Sequence, residues 1–274
     1  MDTHVLSVDG LRINAAEWGA GPPVVLLHGL TGSLDYWAPF AERLGRRHRV
    51  VALDVPGHGL SDALEPFTFE RVVTVLEQAA DQLHMGTPSL VGHSFGAPVA
   101  VCWAAERPVP ALVLASPVGL APLHLRRARM VLPLRRVLAR SLGLWEGMAV
   151  RRPAGRRLVF GWFVGMSRLE GLDPVSARGM LRAASRAAAV VPAALPALES
   201  LDLEAMLPRV GSRSLVIWGE HDRAGWDNGP GLADALGGEE MVLPAVGHMP
   251  MIEAPYSFGR AVEEFLAAAA DGAR

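Results

Sequence analysis

Apolar positions recur along the chain in short runs. Val24–Leu27, Val50–Leu53, Leu90–Val91, Ala111–Ala115, Leu215–Trp218 and Met241–Leu243 are each bounded by Gly, Pro or polar residues, which predicts strands buried on both faces. Between them the spacing turns helical, over Tyr36–Leu44, Phe69–Leu83, Phe95–Glu106, Gly231–Leu236 and Tyr256–Ala270. Strand and helix alternating in this way imply right-handed βαβ crossovers and an α/β fold, a mostly parallel sheet with helices on both faces. Ahead of these, Val5–Val8 and Leu11–Trp18 flank Asp9-Gly10, a dipeptide suited to the positive φ angles of a two-residue turn, so the chain opens on an antiparallel hairpin.

The alternation fails once. From Pro117 to Glu199 there is no strand pattern, only Arg- and Ala-rich helical sequence broken at Pro133, Pro153, Pro174, Pro192 and Pro196. Residues 1–116 and 200–274 therefore read as one α/β core and 117–199 as an all-helical insertion, a cap over the sheet. Charge marks the same boundary. The insertion holds fourteen arginines against Glu146, Glu170, Asp173 and Glu199, a balance of +10 within a chain whose net charge is -2. That excess would suit an anionic ligand, an anionic lipid surface met peripherally, or the acidic remainder of the chain itself; solvated helix faces account for it without any partner.

At 274 residues, half of them hydrophobic and 20% charged, the chain is able to bury a large core and lacks the composition of a disordered protein. It contains no lysine, and with a net charge of -2 nucleic acid is not an expected partner. The single cysteine, Cys102, excludes an internal disulfide and a multi-cysteine metal site. Met1-Asp2-Thr3-His4 lacks the cationic start and apolar stretch of a signal peptide. The apolar stretch Leu158–Met166 is far shorter than the roughly 20 residues that cross a bilayer. No transmembrane segment is expected, and the expected location is cytoplasmic.

Chemistry concentrates in Leu90-Val91-Gly92-His93-Ser94-Phe95-Gly96, an apolar strand running into G-x-S-x-G and then a helix. Small residues two before and two after the serine let the chain make a sharp strand-to-helix turn that holds the hydroxyl at the carboxyl edge of the sheet, over the positive end of the helix. A serine hydroxyl is a weak nucleophile and needs a base, and the base needs an orienting group. His248, in Val246-Gly247-His248-Met249-Pro250, follows the last strand run on a glycine-flanked loop. Asp222, in Gly219-Glu220-His221-Asp222-Arg223, follows the preceding one, with Glu220 and Asp227 as rival acids. The order Ser, Asp, His is that of one known triad arrangement.

Together, His28-Gly29, Asp54-x-Pro56-Gly57-His58-Gly59-x-Ser61, Gly92-His93-Ser94-Phe95-Gly96, Gly219-x-x-Asp222 and Gly247-His248 resemble the α/β-hydrolase superfamily, specifically its esterase- and lipase-like members with a helical lid. The resemblance spans the chain outside Pro117 to Glu199. It implies backbone oxyanion donors at Leu30 and Phe95, favours Asp222 as the acid because Ser116-Pro117 occupies the other position the family uses, and implies a loop-shaping role for Asp54 and His58. It also implies ester cleavage on a small-molecule substrate through an acyl-enzyme, with no metal or organic cofactor. Serine at position 94 argues against the dehalogenating and epoxide-opening branches. Carbon–carbon, lactone or amide hydrolysis and acyl transfer stay open on the same groups, as does a binding or receptor protein that keeps the fold. His28, Gly29, His93 and Met249 beside the triad, and Phe160, Trp162, Phe163 and Met166 in the insertion, are the expected substrate-lining residues. Cys102, eight residues beyond Ser94 on the apolar helix, is expected to be buried and inert.

Overall fold

In the computed structural model, which describes residues 1–118, 150, 152–170, 172–223 and 231–272, the strand runs join in one eight-stranded sheet. The strands are β1 (Asp2–Val8), β2 (Leu11–Trp18), β3 (Pro23–Leu27), β4 (Arg49–Leu53), β5 (Ser89–His93), β6 (Ala111–Ala115), β7 (Arg213–Gly219) and β8 (Glu239–Leu243), in the spatial order β1-β2-β4-β3-β5-β6-β7-β8. β1 and β2 form the expected hairpin, with Asp9 and Gly10 both at positive φ. β2 runs antiparallel to β4, and every later pairing is parallel. One expectation needs correction: β8 is not buried on both faces. It is the edge strand, exposed along Glu239–Val242, because only β7 covers it.

The sheet is packed on both sides, and the two-residue period of its strands divides the core. Val25 and Leu27 of β3 point into a cluster built with α2 (Phe69–Gln82) and α3 (Gly96–Glu106); Val24 and Leu26 point into the cluster of α1 (Ala38–Leu44) and the closing helix Pro255–Gly272. On α2 the buried Phe69, Val72, Val73, Leu76 and Ala80 follow helical spacing, and Thr68 caps the start by accepting from Arg71 N. α3 is apolar on every side and buried from Gly96 to Ala104. Cys102 lies there at 4% exposure, its thiol pushed up to about 12 by burial.

Among the described residues between 150 and 200 there is no strand. Helical turns run through Pro153–Arg156, Arg157–Val164, Pro174–Ala187 and Val191–Ser200. Prolines 153, 174 and 192 stand at helix starts, where the missing N–H is not needed, but Pro196 sits inside its helix and does not end it. Pro133 and half of the insertion's arginines lie outside the described residues. Among the described residues no helix is long and apolar enough to cross a membrane.

Asp54, just past β4, fastens the loops at the carboxyl edge. At 1% exposure it accepts from Leu34 N (2.7 Å), Leu60 N (2.9 Å) and Asn14 Nδ2 (2.7 Å). Asp54→Ala strands these buried donors, each costing about 1–3 kcal/mol when unpaired. A loss of about 3 kcal/mol or more in unfolding free energy is expected from urea titration, and a change under about 0.5 kcal/mol would mean that the loops close without the carboxylate.

Candidate active site

Parallel register decides where the chemistry meets. Leu27 of β3 pairs with Gly92 of β5, His93 with Ala115 of β6, and Ala115 with Ile217 of β7. The carboxyl ends of these strands therefore form one edge, and the loops that leave it carry His28-Gly29, Ser94, Ser116 and Asp222.

Ser94 occupies the turn between β5 and α3 at φ +52°. Its N–H donates to Ala115 O at 2.9 Å, which ties the turn to β6. A left-handed serine costs on the order of 1–3 kcal/mol and persists only where its surroundings impose it. Here the two glycines impose it. A Cβ on Gly92 would lie 2.5 Å from Gly96 O, and one on Gly96 would lie 2.3 Å from Leu27 O, so the turn closes only with hydrogen at both positions.

Asp222 and His248 reach Ser94 on two loops that are bound to each other. Glu220 N donates to Leu243 O, His221 N to Val246 O at 2.7 Å, and Asp222 N turns back to Gly219 O. His248 Nε2 lies 2.9 Å from Ser94 Oγ, and His248 Nδ1 lies 3.0 Å from both Asp222 oxygens. Exposures of 8%, 7% and 2% for Ser94, His248 and Asp222 keep the array nearly dry. With the carboxylate accepting at Nδ1, the imidazole proton is held there and the Nε2 lone pair faces the hydroxyl. The rival Glu220 is exposed and accepts instead from Ala245 N, while Asp227 lies outside the described residues.

Gly29 packs beside Ser94: a Cβ there would be 3.0 Å from Ser94 Cβ. Leu30 and Phe95 follow Gly29 and Ser94 directly, and among the described residues neither backbone N–H has a protein acceptor. His28 and His93, expected beside the triad, are bonded to the surrounding loops. His28 donates from Nδ1 to Gly29 O and accepts at Nε2 from Val55 N; His93 donates from Nε2 to His248 O at 2.8 Å and accepts at Nδ1 from the Tyr36 hydroxyl. All four ring nitrogens are engaged by the protein, so both histidines hold loops.

Tyr36 was not singled out by the sequence. Its hydroxyl also accepts from Gly29 N, which links the Gly29 loop, the residue before Ser94 and the His248 backbone in one chain of hydrogen bonds. In sequence it reads only as an aromatic at a helix start. Phe160, Met166 and Met249 are buried at 1%, 4% and 3% in the cluster that includes Phe258 and Val262. The side chains of Trp162 and Phe163 lie outside the described ones.

Residues 22–255 match the family model of the alpha/beta hydrolase fold. The chain belongs to this family. Among curated relatives, it is 30% identical over 94% of its own length and 96% of the other to a Bacillus subtilis (strain 168) protein with the provisional name 2-succinyl-6-hydroxy-2,4-cyclohexadiene-1-carboxylate synthase. It is 28% identical, over 90% of its length and 96% of the other, to the pimeloyl-[acyl-carrier protein] methyl ester esterase of Nitrosomonas europaea. Several other curated relatives match over only 23–39% of their own length. Among solved structures, a bacterial membrane phospholipase A superposes with a TM-score of 0.79 at 25% identity, covering 98% of this chain and 86% of the other.

Three buried rings give this alpha/beta hydrolase a pH signature. Burial lowers His28 to about 4, and His58 and His93 to about 3, with neighbouring histidines adding to the last two. Each ring is neutral when folded but takes up a proton near pH 6.5 when unfolded. Stability from these groups is full above pH 6.5 and falls as the pH drops toward 4, by about 1.4 kcal/mol per pH unit for each ring. Urea midpoints should decline steadily from pH 7 to pH 5; a flat profile would contradict neutral burial.

Proposed function

We propose that the protein is a serine hydrolase that cleaves carboxylic esters of apolar acyl groups through an acyl-enzyme. The observation that carries this reading is the continuous line from Ser94 Oγ through His248 to the Asp222 carboxylate, with contacts of 2.9 and 3.0 Å, at the strand edge. Ser94 Oγ attacks the ester carbonyl while His248 Nε2 takes its proton, and Asp222 stabilises the imidazolium so formed. The N–H groups of Leu30 and Phe95, which have no acceptor among the described residues, receive the oxyanion. One such donor is typically worth about 3–4 kcal/mol in the transition state. The imidazolium then protonates the departing alkoxide, and water, deprotonated by the same imidazole, releases the acid and restores Ser94.

The helical insertion, residues 117–199, serves in this reading as a lid whose apolar residues select the acyl group. Its contact with the site supports that role: Gly165 O accepts from His248 N at 3.0 Å. Likeness to the Nitrosomonas esterase supports ester cleavage. Likeness to the Bacillus protein named as a synthase favours a second reading, in which the same residues act on a carbon–carbon bond, a lactone or an amide, or transfer the acyl group to another acceptor.

Labelling and substitution test the shared mechanism, and substrate choice decides between the readings. A fluorophosphonate should label Ser94 and no other serine, and p-nitrophenyl hexanoate should be turned over faster than charged or polar acyl esters; efficient turnover of lactones or diketones alone would select the second reading. Ser94→Ala and His248→Ala should each remove all but a trace of turnover, with no further loss in the double variant. Either variant retaining more than about 5% of activity would exclude the mechanism. Asp222→Asn should lower the rate on the order of 10⁴-fold, while Glu220→Gln leaves it within a few fold.

A further inference from the structure

Glu253 lies five residues beyond His248, in the short helix Pro250–Glu253, and is only 7% exposed. Among the described residues no cation pairs with it. Four backbone amides take the place of a cation. Oε2 accepts from Gly247 N at 2.9 Å, Ser167 N at 2.6 Å and Arg168 N at 2.9 Å, and Oε1 accepts from Met249 N at 2.9 Å.

These donors come from two different parts of the chain. Gly247 and Met249 flank His248; Ser167 and Arg168 follow the helical stretch Arg157–Val164 of the insertion. The two backbones touch elsewhere as well. His248 N donates to Gly165 O at 3.0 Å, and a Cβ on Gly247 would lie 2.3 Å from Gly165 O and 2.7 Å from Ser167 N, so nothing separates them. A buried carboxylate is tolerated only while its oxygens are bonded. If Ser167 and Arg168 withdraw, Oε2 keeps one donor of three, and the carboxylate that holds Gly247 and Met249 on either side of His248 is no longer fixed from the insertion.

We infer that Glu253 is a positioning residue that makes correct placement of His248 conditional on the seating of residues 165–168 of the insertion. The base is aligned only when that segment is docked. A substrate that holds the segment down therefore also sets the base, which couples acyl recognition to reactivity. The kinetic consequence rests on the serine-hydrolase reading; the mechanical linkage does not.

Glu253→Gln tests it. Glutamine keeps the size, but its NH₂ group must face an N–H donor on one side. With a p-nitrophenyl ester, kcat should fall about 10- to 100-fold, as misplacement of a catalytic group does, with KM within about twofold. A purely structural role would lower the amount of folded enzyme and leave kcat per active site, counted by fluorophosphonate titration, unchanged. Hydrogen exchange should accelerate together, at least tenfold, in residues 165–168 and 247–249, with β3 and β5 unaffected. Glu253→Asp, which retains the charge and both acceptors, should restore part of kcat. Wild-type kcat per site in a folded Glu253→Gln protein, or faster exchange confined to 165–168, would overturn the inference. Should the variant not fold, the unmodified protein still decides: the amides of Ser167, Arg168, Gly247 and Met249 must share one protection factor, and a tenfold difference between the pairs refutes the coupling. If the unmodified protein neither cleaves an ester nor takes the fluorophosphonate, the functional reading fails alone, and the exchange data still judge the linkage.

Discussion

The approach of the Ser94 turn to β3 is the contact on which the rest of the site depends. Gly96 comes so near the carbonyls of Leu27 and His28 that a single added carbon would meet them at 2.3 and 2.7 Å. That proximity seats α3 under the turn and forces Ser94 into a left-handed conformation. It also brings Gly29 against the serine, so the Ser94 turn and the neighbouring loop are placed by the same packing. Local strain at Ser94 is balanced by the strands on either side of β5, buried in all but Pro23, each of which pairs with β5 over four residues.

Three of the carboxylates buried among the described residues, Asp54, Asp222 and Glu253, are each satisfied differently. Asp54 accepts from two amides and the Asn14 side chain, and so organises loops. Glu253 accepts from four amides and joins two segments. Asp222 accepts from an imidazole, which is the one partner among these able to carry a proton away. Burial is the common cost, and the identity of the donor decides whether the group fixes backbone or fixes an imidazole ring.

The histidines divide along the same principle. His28 and His93 have both ring nitrogens engaged by the protein and are held neutral by burial, as fits rings that act as rigid two-ended connectors. His248 is connected at one end to Asp222 and at the other to the hydroxyl. A pair of neighbours in sequence, His93 and Ser94, thus serves opposite ends of the His248 loop: one grips its backbone carbonyl, the other meets its ring.

Much of this was legible in the residues alone. Apolar runs a few residues long, with helical spacing between them, specify a parallel sheet because buried strands need apolar side chains on both faces; G-x-S-x-G specifies the turn because only glycine leaves room for it. Asp222 and His248 were legible as loop residues after β7 and β8, since loops that leave parallel strands emerge at one edge. Tertiary structure alone decided the rest. Glu220 and Asp222 are two residues apart and alike in chemistry, and only the pairing of the Gly219 and Val246 loops turns Asp222 toward His248. Glu253 and Tyr36 are bonded to backbone amides, those of Ser167 and Arg168 lying 86 and 85 residues from Glu253, and an amide carries no residue-specific mark. The exposure of β8 depended on which strand ended the sheet, a property of neighbours that hydrophobic pattern within a strand does not encode.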